Sequence, residues 1–541
     1  MSRRSRGAAR FGGRLLLPVS LVLLLAGALL QILAGYSHPD LSGHAWGTDD
    51  AYISYRYAHN LAVGNGLVFN PGERVEGFSN LLYVLLLTPA EALAGRDGIY
   101  AVSTGLNLLF AAAALALLYG FARPRLGDRA AGALAVLFAL CPSLWAAIAS
   151  GLETPLVLLI QIATWILAER VVEEKAGRRA VLGLCALAAL SVLARADGFV
   201  TPLLAAGFLG LRGRWRSSAA VVAATLAVFG ALSALRLSYY GWPLPNTYYV
   251  KVAGSLPQRL ESGWLQLVSA VLATGLLFYL AIFGLAAARG LKGLSFRQSD
   301  PLPALPFPVV FAAGWLVYFV YVGGDVFYDR FLLFLFPMGT YLLLQQMEEV
   351  RRPRLVWVLL ALVLVLQLVP LGTDPRYSYS TAKYDRWVLL GRYLGEKHPG
   401  ALLAIDSAGK VPYFSGLRTI DMLGLADAHI AHVKGEEHGY FRVGHAKSDL
   451  GYVLSRRPDL IANWLGSSWS PLPGPVPEGI AGAGYRLIYL VNSDAESKPR
   501  NLRDVRGASA VEVRRLYLEG YRYGVFESQR RGGAPPLPSG P

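Results

Sequence analysis

The sequence has few cysteines and few charges for its length. Only two of its 541 residues are cysteine, Cys141 and Cys185, and both lie inside apolar segments. This excludes a disulfide framework and a Cys-x-x-Cys metal site. Charged residues make up 16% of the chain, whereas a soluble domain is about a quarter charged. The deficit of charge, with 54% hydrophobic residues, indicates a membrane protein.

Several familiar patterns are also missing. The sequence has no Gly-x-Gly-x-x-Gly or P-loop signature, so it lacks the usual marks of a nucleotide site. No internal repeat is apparent, which disfavours an inverted-repeat transporter. His38, His44 and His59 do not have the spacing of metal ligands. We therefore expect no cofactor, and the need for a divalent metal stays open.

Long apolar runs recur from Leu15 to Leu371, each long enough for a hydrocarbon core of about 30 Å. The first, Leu15 to Gly35, follows a basic start and lacks a small-residue cleavage site before Tyr36, which favours a retained helix over a signal peptide. The net charge of +15 lies largely in short loops. That distribution is the positive-inside pattern of membrane proteins, and it does not indicate nucleic-acid binding.

The distribution of basic residues predicts that the N-terminus is cytoplasmic and that the loop after the first helix lies on the outer side of the membrane. If the run Asn80 to Ala94 lies in the interface or re-enters, all later basic loops fall inside the cell, so this reading is preferred. About eleven membrane helices are then expected. After the first they are residues 101–121, 130–149, 152–167, a tight pair around 195–198, 218–235, 265–287, 305–322, 331–346 and 355–371.

The composition changes after Gly372. We expect a mainly α protein with a helical membrane domain at residues 1–372, whose first outer loop covers residues 36–100, and an outer α/β domain at residues 373–530. The Pro/Gly-rich tail at 531–541 is expected to be disordered. A helix is predicted at 384–397, and short apolar runs predict strands at residues 402–405, 459–462, 486–491 and 521–526.

The chain is organised around two adjacent acids, Asp49 and Asp50, at the mouth of the first helix. Ionisable groups beside hydrocarbon usually mark a functional site. Four further polar motifs fall on the same outer side, at residues 150–155, 193–198, 236–251 and 323–331. Simpler readings remain open: an exposed acid pair, a salt bridge between Arg195 and Asp197, or an interfacial belt of tyrosines.

Acids, bases and aromatic rings at one membrane face suit glycosyl transfer. A carboxylate can deprotonate an acceptor hydroxyl, Arg and Lys can bind a phosphate leaving group, and Tyr and Trp suit sugar rings and isoprenoid chains. Since sugar nucleotides are not normally available outside the cell, a lipid-phosphate sugar donor fits these constraints.

Particular motifs resemble a known family. Thr48 to Tyr57, Gly66 to Asn80 and Pro245 to Tyr249 are similar to the mycobacterial terminal β-arabinofuranosyltransferases, as are Gly323 to Asp325 and Asp421 to Asp427. More broadly the chain resembles the GT-C membrane glycosyltransferases, which use polyprenyl-phosphate sugars. The resemblance implies an extracytoplasmic active site and C-terminal domain in a multi-pass protein of the bacterial inner membrane.

The resemblance also implies a catalytic acid in the first outer loop, which is Asp49 here, assisted by Asp50. Candidates for the donor phosphate are Arg56, Arg195 and Lys251. Candidates for sugar or acceptor contacts are Glu153, Asn246, Tyr248 and Asp325. The remaining candidate substrate-binding residues are Glu73, Arg74, Asp197, Tyr249 and Arg330. The run His445 to Asp449 of the outer domain is a candidate for gripping an acceptor glycan.

The sequence therefore predicts an enzyme that moves a sugar, with arabinofuranose as the candidate, from a polyprenyl phosphate to an envelope glycan or lipid. Membrane lipids are further partners, and nucleic acid is not. A transporter or flippase of lipid-linked sugars is the alternative, although it would need acids midway through helices. A non-catalytic envelope sensor is a third class, but it leaves the acid pair unexplained.

Overall fold

A computed structural model provides the fold of the chain. The structure describes residues 3–33, 47–173, 177–292, 305–325, 330–347, 353–373, 386–434, 443–466, 478–492 and 502–529. The predicted disordered tail, His38 and His44 lie outside these residues. The boundaries predicted at 372/373 and 530/531 fall beside or inside undescribed stretches and stay predictions.

The N-terminal two thirds of the described chain are helical. The first eight helices are α1 (Arg3–Leu33), α2 (Asp49–Ala62), α3 (Leu81–Ala139), α4 (Pro142–Ala149), α5 (Thr154–Val172), α6 (Gly177–Ala194), α7 (Val200–Leu211) and α8 (Trp215–Tyr240). The next seven are α9 (Asn246–Lys251), α10 (Leu256–Thr274), α11 (Leu276–Lys292), α12 (Phe307–Val322), α13 (Leu335–Met347), α14 (Pro353–Leu368) and α15 (Pro370–Thr373). A 3₁₀ turn, Arg330–Leu332, precedes α13.

The predicted helical membrane domain is confirmed. Among the described residues, five helices are long and apolar enough to cross a membrane, and the pair α10–α11 makes a sixth candidate. Three shorter apolar helices add to these, at Val200–Leu211, Phe307–Val322 and Trp357–Gly372. The number of about eleven spans stays a prediction.

Two predicted helices differ from those observed. The residues 265–287 do not form one helix, because α10 and α11 meet at Gly275 with a bend of 106°, and Gly275 has a φ of 68°. The residues 130–149 are divided between α3 and α4, since Pro142 starts a new helix. The run expected in the interface and the helix at 101–121 both fall within α3, but they lie on opposite sides of a break in helical geometry at Gly95, and a second break follows at Gly127.

The C-terminal domain (the outer domain, after its predicted position) is built on one mixed sheet. Its strands are β1 (Leu402–Ile405), β2 (Arg418–Asp421), β3 (Leu460–Trp464), β4 (Tyr485–Val491), β5 (Leu502–Asp504) and β6 (Tyr523–Ser528), in the order β2-β1-β3-β6-β4-β5. The strand β1 is parallel to both neighbours, and the other pairs are antiparallel. Its helices are α16 (Arg386–Lys397), α17 (Lys410–Ser415), α18 (Ala428–His432), α19 (Leu450–Ser455), α20 (Glu478–Gly482) and α21 (Ala510–Leu518).

The four predicted strands and the predicted helix of this domain are present. The strands β2 and β5 were not predicted, because both are short and carry charged residues at their ends. Alternation along β1 divides the core: Ala404 contributes to one face of the sheet, and Leu403 and Ile405 to the other.

The helix α2 lies between the membrane helices and the outer domain. One apolar cluster joins Tyr52 and Tyr55 of α2 to Leu152 and Leu156 on the membrane side and to Tyr413 and Phe414 on the outer side. Continuous burial of this kind fixes α2 against both bodies. It thereby fixes where the two acids at the start of α2 point.

Candidate active site

The helix α2 presents two different faces. Asp50, Ile53 and Ser54 line a recess between the membrane helices and the outer domain. Asp49, Tyr52 and Arg56 contact the outer domain instead. Adjacent residues of an α-helix are rotated by about 100°. The side chains of Asp49 and Asp50 therefore lie in different surroundings, although the two residues are neighbours in sequence.

The recess is small and strongly polar. Its volume is about 40 Å³, and charged side chains from distant parts of the chain line it. They are Asp50, Glu153, Arg195, Lys251 and Arg330. Ser54, Ser79, Asn80 and Thr247 add polar groups, and Leu425 comes from the outer domain. Acids and bases that are far apart in sequence thus meet around one space.

The recess adjoins a larger and mostly apolar cavity of about 360 Å³. The two share Ser79, Arg195, Thr247 and Lys251 as lining residues. The apolar and aromatic walls of the larger cavity are Phe199, Phe229, Leu244, Tyr248, Val252, Tyr318, Tyr321, Val322 and Phe331, with Val443 from the outer domain. A charged end joined to an aromatic chamber suits a ligand with a polar head and an apolar chain.

Arg195 is held by two carboxylates. Its Nε donates to Asp197 at 2.7 Å and its Nη2 to the second Asp197 oxygen at 2.9 Å. Its Nη1 donates to Glu153 at 2.9 Å. The other oxygen of Glu153 accepts from Asn80 at 2.8 Å, and Asn80 accepts from Ser54 of α2 at 2.9 Å. This network connects the guanidinium to the helix that carries Asp50.

Arg330 and Asp325 form a second bidentate pair. Arg330 donates through Nε and Nη2 to the two oxygens of Asp325, each at 2.9 Å. Asp325 is buried and follows the end of α12, where Gly323 and Gly324 have φ values of 95° and 85°. These left-handed glycines turn the chain sharply. The turn places Asp325 on the cavity wall.

Lys251 and Asp50 stand apart from these pairs. Within the described part of the chain neither makes a hydrogen bond or a salt bridge. Burial, together with the positive charge of Arg330, lowers the pKa of Lys251, while the charge of Asp50 opposes that shift. An unpaired cation and an unpaired carboxylate on one recess are groups that a substrate can engage.

Of the predicted site residues, eight line the recess or the cavity. They are Asp50, Glu153, Arg195, Asp197, Tyr248, Lys251, Asp325 and Arg330. The four outward motifs named from the sequence each supply at least one of the lining residues. Tyr248 is 45% exposed, so it stands at the open side of the cavity.

Asp49 is not a lining residue of either space. Its carboxylate accepts hydrogen bonds from the backbone N–H groups of Gly409 and Lys410, at 3.0 and 2.8 Å. Burial raises the pKa of Asp49 to about 6, against the lowering effect of these contacts with Lys410. The structure therefore places the predicted leading acid against the outer domain, and Asp50 on the recess.

Arg56 and Glu73 also bind the outer domain. Arg56 is buried and donates to the carbonyl oxygens of Pro412 and Leu417 and to that of Phe69. Glu73 accepts from Arg418. A guanidinium with all of these backbone partners is not available to a phosphate. The phosphate role predicted for Arg56 does not agree with this position.

Arg74, Asn246 and Tyr249 line neither the recess nor the cavity. The Arg74 guanidinium stacks 4.9 Å above the ring of Tyr239. The side chain of Asn246 donates to the carbonyl of Gly424 at 3.3 Å. Tyr249 packs against His432, with ring centroids 4.4 Å apart. Each of the three connects membrane-side loops to each other or to the outer domain.

The run His445 to Asp449, predicted to bind an acceptor glycan, makes mainly structural contacts within the outer domain. Asp449 caps α19 by accepting from the N–H of Tyr452 at 2.8 Å. Lys447 donates to the carbonyl of Ala431 at 2.6 Å.

His59, one of the histidines considered as a metal ligand, contacts Glu91 at 2.8 Å. The described residues contain no group of three or more His, Cys, Asp or Glu that could hold a metal ion.

Ser54, Asn80, Thr247 and Leu425 were not predicted as site residues. Three of them fall inside motifs that the sequence did single out, Thr48 to Tyr57, Gly66 to Asn80 and Pro245 to Tyr249. Leu425 lies in the run Asp421 to Asp427. The motifs were enough to indicate that these four residues lie near the site. Their small polar and aliphatic side chains gave no indication that they line it.

Solved structures share this architecture. The structure of ArnT from Cupriavidus metallidurans bound to undecaprenyl phosphate superposes with a TM-score of 0.56 at 12% identity, covering 95% of this chain and 99% of that one. The Archaeoglobus fulgidus oligosaccharyltransferase AglB, in complex with an inhibitory peptide and a dolichol-phosphate, gives 0.51 at 14% identity, covering 90% and 75%. The chain has the fold of the GT-C membrane glycosyltransferases. With several helices long and apolar enough to cross a membrane among its described residues, the chain is a multi-pass membrane protein, as predicted.

Sequence comparisons agree with the resemblance stated above. The terminal β-(1→2)-arabinofuranosyltransferase of Corynebacterium glutamicum is 29% identical over 327 residues, covering 53% of this chain and 46% of the relative. That of Mycobacterium tuberculosis is 28% identical over 316 residues, covering 53% and 50%. The chain spans about half the length of these curated relatives. A domain of unknown function (DUF8728) matches residues 377–513.

Proposed function

We propose that the chain transfers a sugar, arabinofuranose by analogy with its relatives, from a polyprenyl phosphate to an envelope glycan or lipid. The observation that carries the proposal is the junction of a charged recess with an aromatic cavity. A phosphate head with its sugar suits the recess, and an isoprenoid chain suits the cavity. The structures of ArnT and AglB contain undecaprenyl phosphate and dolichol-phosphate, respectively.

Asp50 is the general base in this proposal. It lines the recess and has no hydrogen-bond or salt-bridge partner among the described residues, whereas Asp49 is bound to backbone N–H groups. The Asp50 carboxylate takes the proton of an acceptor hydroxyl. The hydroxyl oxygen then bonds to the anomeric carbon, and the bond from that carbon to the phosphate oxygen breaks.

Lys251 is the principal phosphate ligand. Arg195 and Arg330 are already neutralised, by Glu153 and Asp197 and by Asp325. Lys251 is left as the cation on the recess without such a partner in the described residues. Its ammonium group stabilises the charge that develops on the departing phosphate. The two paired guanidiniums hold the polar wall in place around it.

The location of the protein follows the same argument. Basic residues gather in the loops on one side of the apolar runs, which supports a cytoplasmic placement of those loops. The recess and the outer domain are then extracytoplasmic, at the inner membrane of a bacterium. Lipid-phosphate sugars rather than sugar nucleotides suit that side of the membrane.

The test is sugar transfer by purified protein in nanodiscs, with a lipid-phosphate sugar and a synthetic glycan acceptor. We expect Asp50→Asn to lower kcat at least about a hundredfold, and Lys251→Met to lower kcat/KM for the donor about ten- to a hundredfold. Matched controls are Asp97→Asn and Lys434→Met, both at exposed positions of the described chain. Transfer by Asp50→Asn at the wild-type rate would contradict the proposal.

A second experiment, in proteoliposomes, distinguishes a glycosyltransferase from a flippase. Labelled donor is placed inside the vesicles, and both its appearance outside and the transfer of its sugar are measured. Transfer that depends on Asp50 supports the enzyme. Donor that becomes accessible outside without any transfer supports the flippase and overturns the proposal.

A further inference from the structure

The start of α2 is attached to the outer domain by a short set of direct contacts. Gly409 and Lys410 donate their backbone N–H groups to separate oxygens of Asp49, at 3.0 and 2.8 Å. The Lys410 ammonium group donates to the carbonyl of Gly47 at 2.7 Å. The residues on both sides of Thr48 are thus held by Gly409 and Lys410, at the start of α17.

Gly409 makes this approach possible. A Cβ atom at this position would lie 1.9 Å from the carbonyl oxygen of Asp49 and 2.6 Å from its Oδ2. Such distances are far inside van der Waals contact, and two of the nearest atoms are backbone atoms. Only glycine therefore fits against Asp49 without displacing it.

The rest of this face of α2 is held by the same segment. The ring of Tyr52 packs on those of Tyr413 and Phe414, with centroids 5.4 and 5.5 Å apart. Arg56 donates to the carbonyl of Leu417 at 2.8 Å. Residues 49, 52 and 56 recur at helical spacing, so the outer domain contacts one continuous stripe of the helix.

The neighbouring stripe of α2 faces the recess through Asp50, Ile53 and Ser54. A helix is stiff over two turns, so contacts on one stripe set the position and rotation of the other. The outer domain also lines the site directly, through Leu425 at the recess and Val443 at the larger cavity.

We propose that Asp49 is a positioning residue, through which Gly409 and Lys410 of the outer domain hold Asp50 in its catalytic place. This proposal rests on the role of Asp50 proposed above. It gives the matched domain of unknown function a part in the chemical step: the outer domain completes the active site from outside. It separates the two adjacent acids into one that reacts and one that aligns.

The test compares kcat with the donor KM for Gly409→Ala and Asp49→Asn. The amide introduced by Asp49→Asn has one acceptor oxygen and one donor group facing two N–H groups, so one hydrogen bond is lost without a change in size. Since misplacement of a reacting group by about 1 Å can cost about a hundredfold in rate, we expect kcat to fall about ten- to a hundredfold in both variants. The donor KM should stay within about twofold, because the phosphate ligands are untouched.

The matched control is Gly482→Ala, at a glycine of the same domain where an added Cβ meets no atom within 4 Å; it should keep the wild-type kcat. Asp49→Asn keeps the proposal testable if Gly409→Ala does not fold. A wild-type kcat in folded Asp49→Asn, or a loss that appears in the donor KM instead, overturns the positioning role.

The failure of this proposal is distinguishable from failure of the proposed function. Inactive Asp50→Asn together with fully active Asp49→Asn overturns only the positioning role. Active Asp50→Asn overturns the base assignment on which the positioning role rests.

Discussion

Arg195 and Glu153, which lie 42 positions apart, form a hydrogen-bonded ion pair of 2.9 Å at the boundary of recess and cavity. Glu153 precedes the first residue of α5, and Arg195 follows the last residue of α6. Asp197 binds the other edge of the same guanidinium. The guanidinium is therefore fixed by two carboxylates before any substrate arrives.

Glu153→Gln should weaken both this pair and substrate turnover. Removing a charge from a buried pair leaves the other charge poorly compensated, although Asp197 remains, so we expect a loss of about 1–3 kcal/mol in stability. A fall of roughly tenfold in kcat/KM should accompany it. Thermal unfolding and sugar-transfer kinetics measure the two effects.

The control for Glu153→Gln is Glu396→Gln, which removes an exposed ion pair with Lys397. That variant should behave as the wild type in both measurements, since exposed pairs contribute little. Equal behaviour of the two variants would show that the Glu153–Arg195 pair has no special part in the site.

Val322→Trp should obstruct the aromatic cavity. Val322 ends α12 and lines the cavity, so a larger ring there occupies space assigned to the isoprenoid chain. We expect the KM for a long-chain donor to rise about tenfold, and the KM for a short-chain analogue to change much less. The control is Val317→Trp on the same helix, where Val317 is 70% exposed. A uniform effect on both donors would argue against the chain lying in this cavity.

Glu76 and Arg236 form a further buried pair, which joins the first loop to the end of α8. Arg236 donates to both Glu76 oxygens, with contacts of 2.8 to 3.1 Å. We expect Glu76→Ala to reduce stability by about 3–5 kcal/mol, because it leaves a buried charge without its partner. The double variant Glu76→Leu/Arg236→Met should recover much of that loss. A double variant that is less stable than Glu76→Ala would contradict this expectation.

The stability of the outer domain should depend on pH through Asp406 and Asp421. Burial raises the pKa of Asp406 to about 6 and that of Asp421 to about 7, partly offset by hydrogen bonds from Tyr523 and Ala426, respectively. Both values lie above the 3.8 of a free aspartate. The folded domain therefore binds protons more tightly than the unfolded chain, and its stability falls as pH rises from about 4 to about 7.

Thermal unfolding between pH 4.5 and 8 measures this dependence. Asp406→Asn keeps an acceptor for Tyr523 but cannot ionise, so the loss of stability over this range should be smaller in the variant by up to about 3 kcal/mol. A wild-type protein that gains stability over the same interval, relative to Asp406→Asn, would show that the sign is wrong.

Local sequence was enough for the general architecture. Uninterrupted apolar runs specify helices in a membrane, and short apolar runs such as Leu402–Ile405 specify strands, because each depends on neighbours in the chain. The polar motifs around Glu153, Arg195, Lys251 and Asp325 were also visible, since charge among apolar residues stands out. The bend at Gly275 was not, because one glycine in an apolar run does not fix an angle.

The sequence by itself determined a helical membrane protein with a C-terminal sheet domain and an acid pair near the first helix. Only the tertiary structure decided which acid faces the recess. The partners of Asp49 are backbone N–H groups about 360 positions later in the chain, and backbone donors leave no signature in a sequence. The burial of Arg56 under Leu417 and the close approach of Gly409 have the same origin. The two faces of α2 acquire their different roles only when the outer domain packs on one of them.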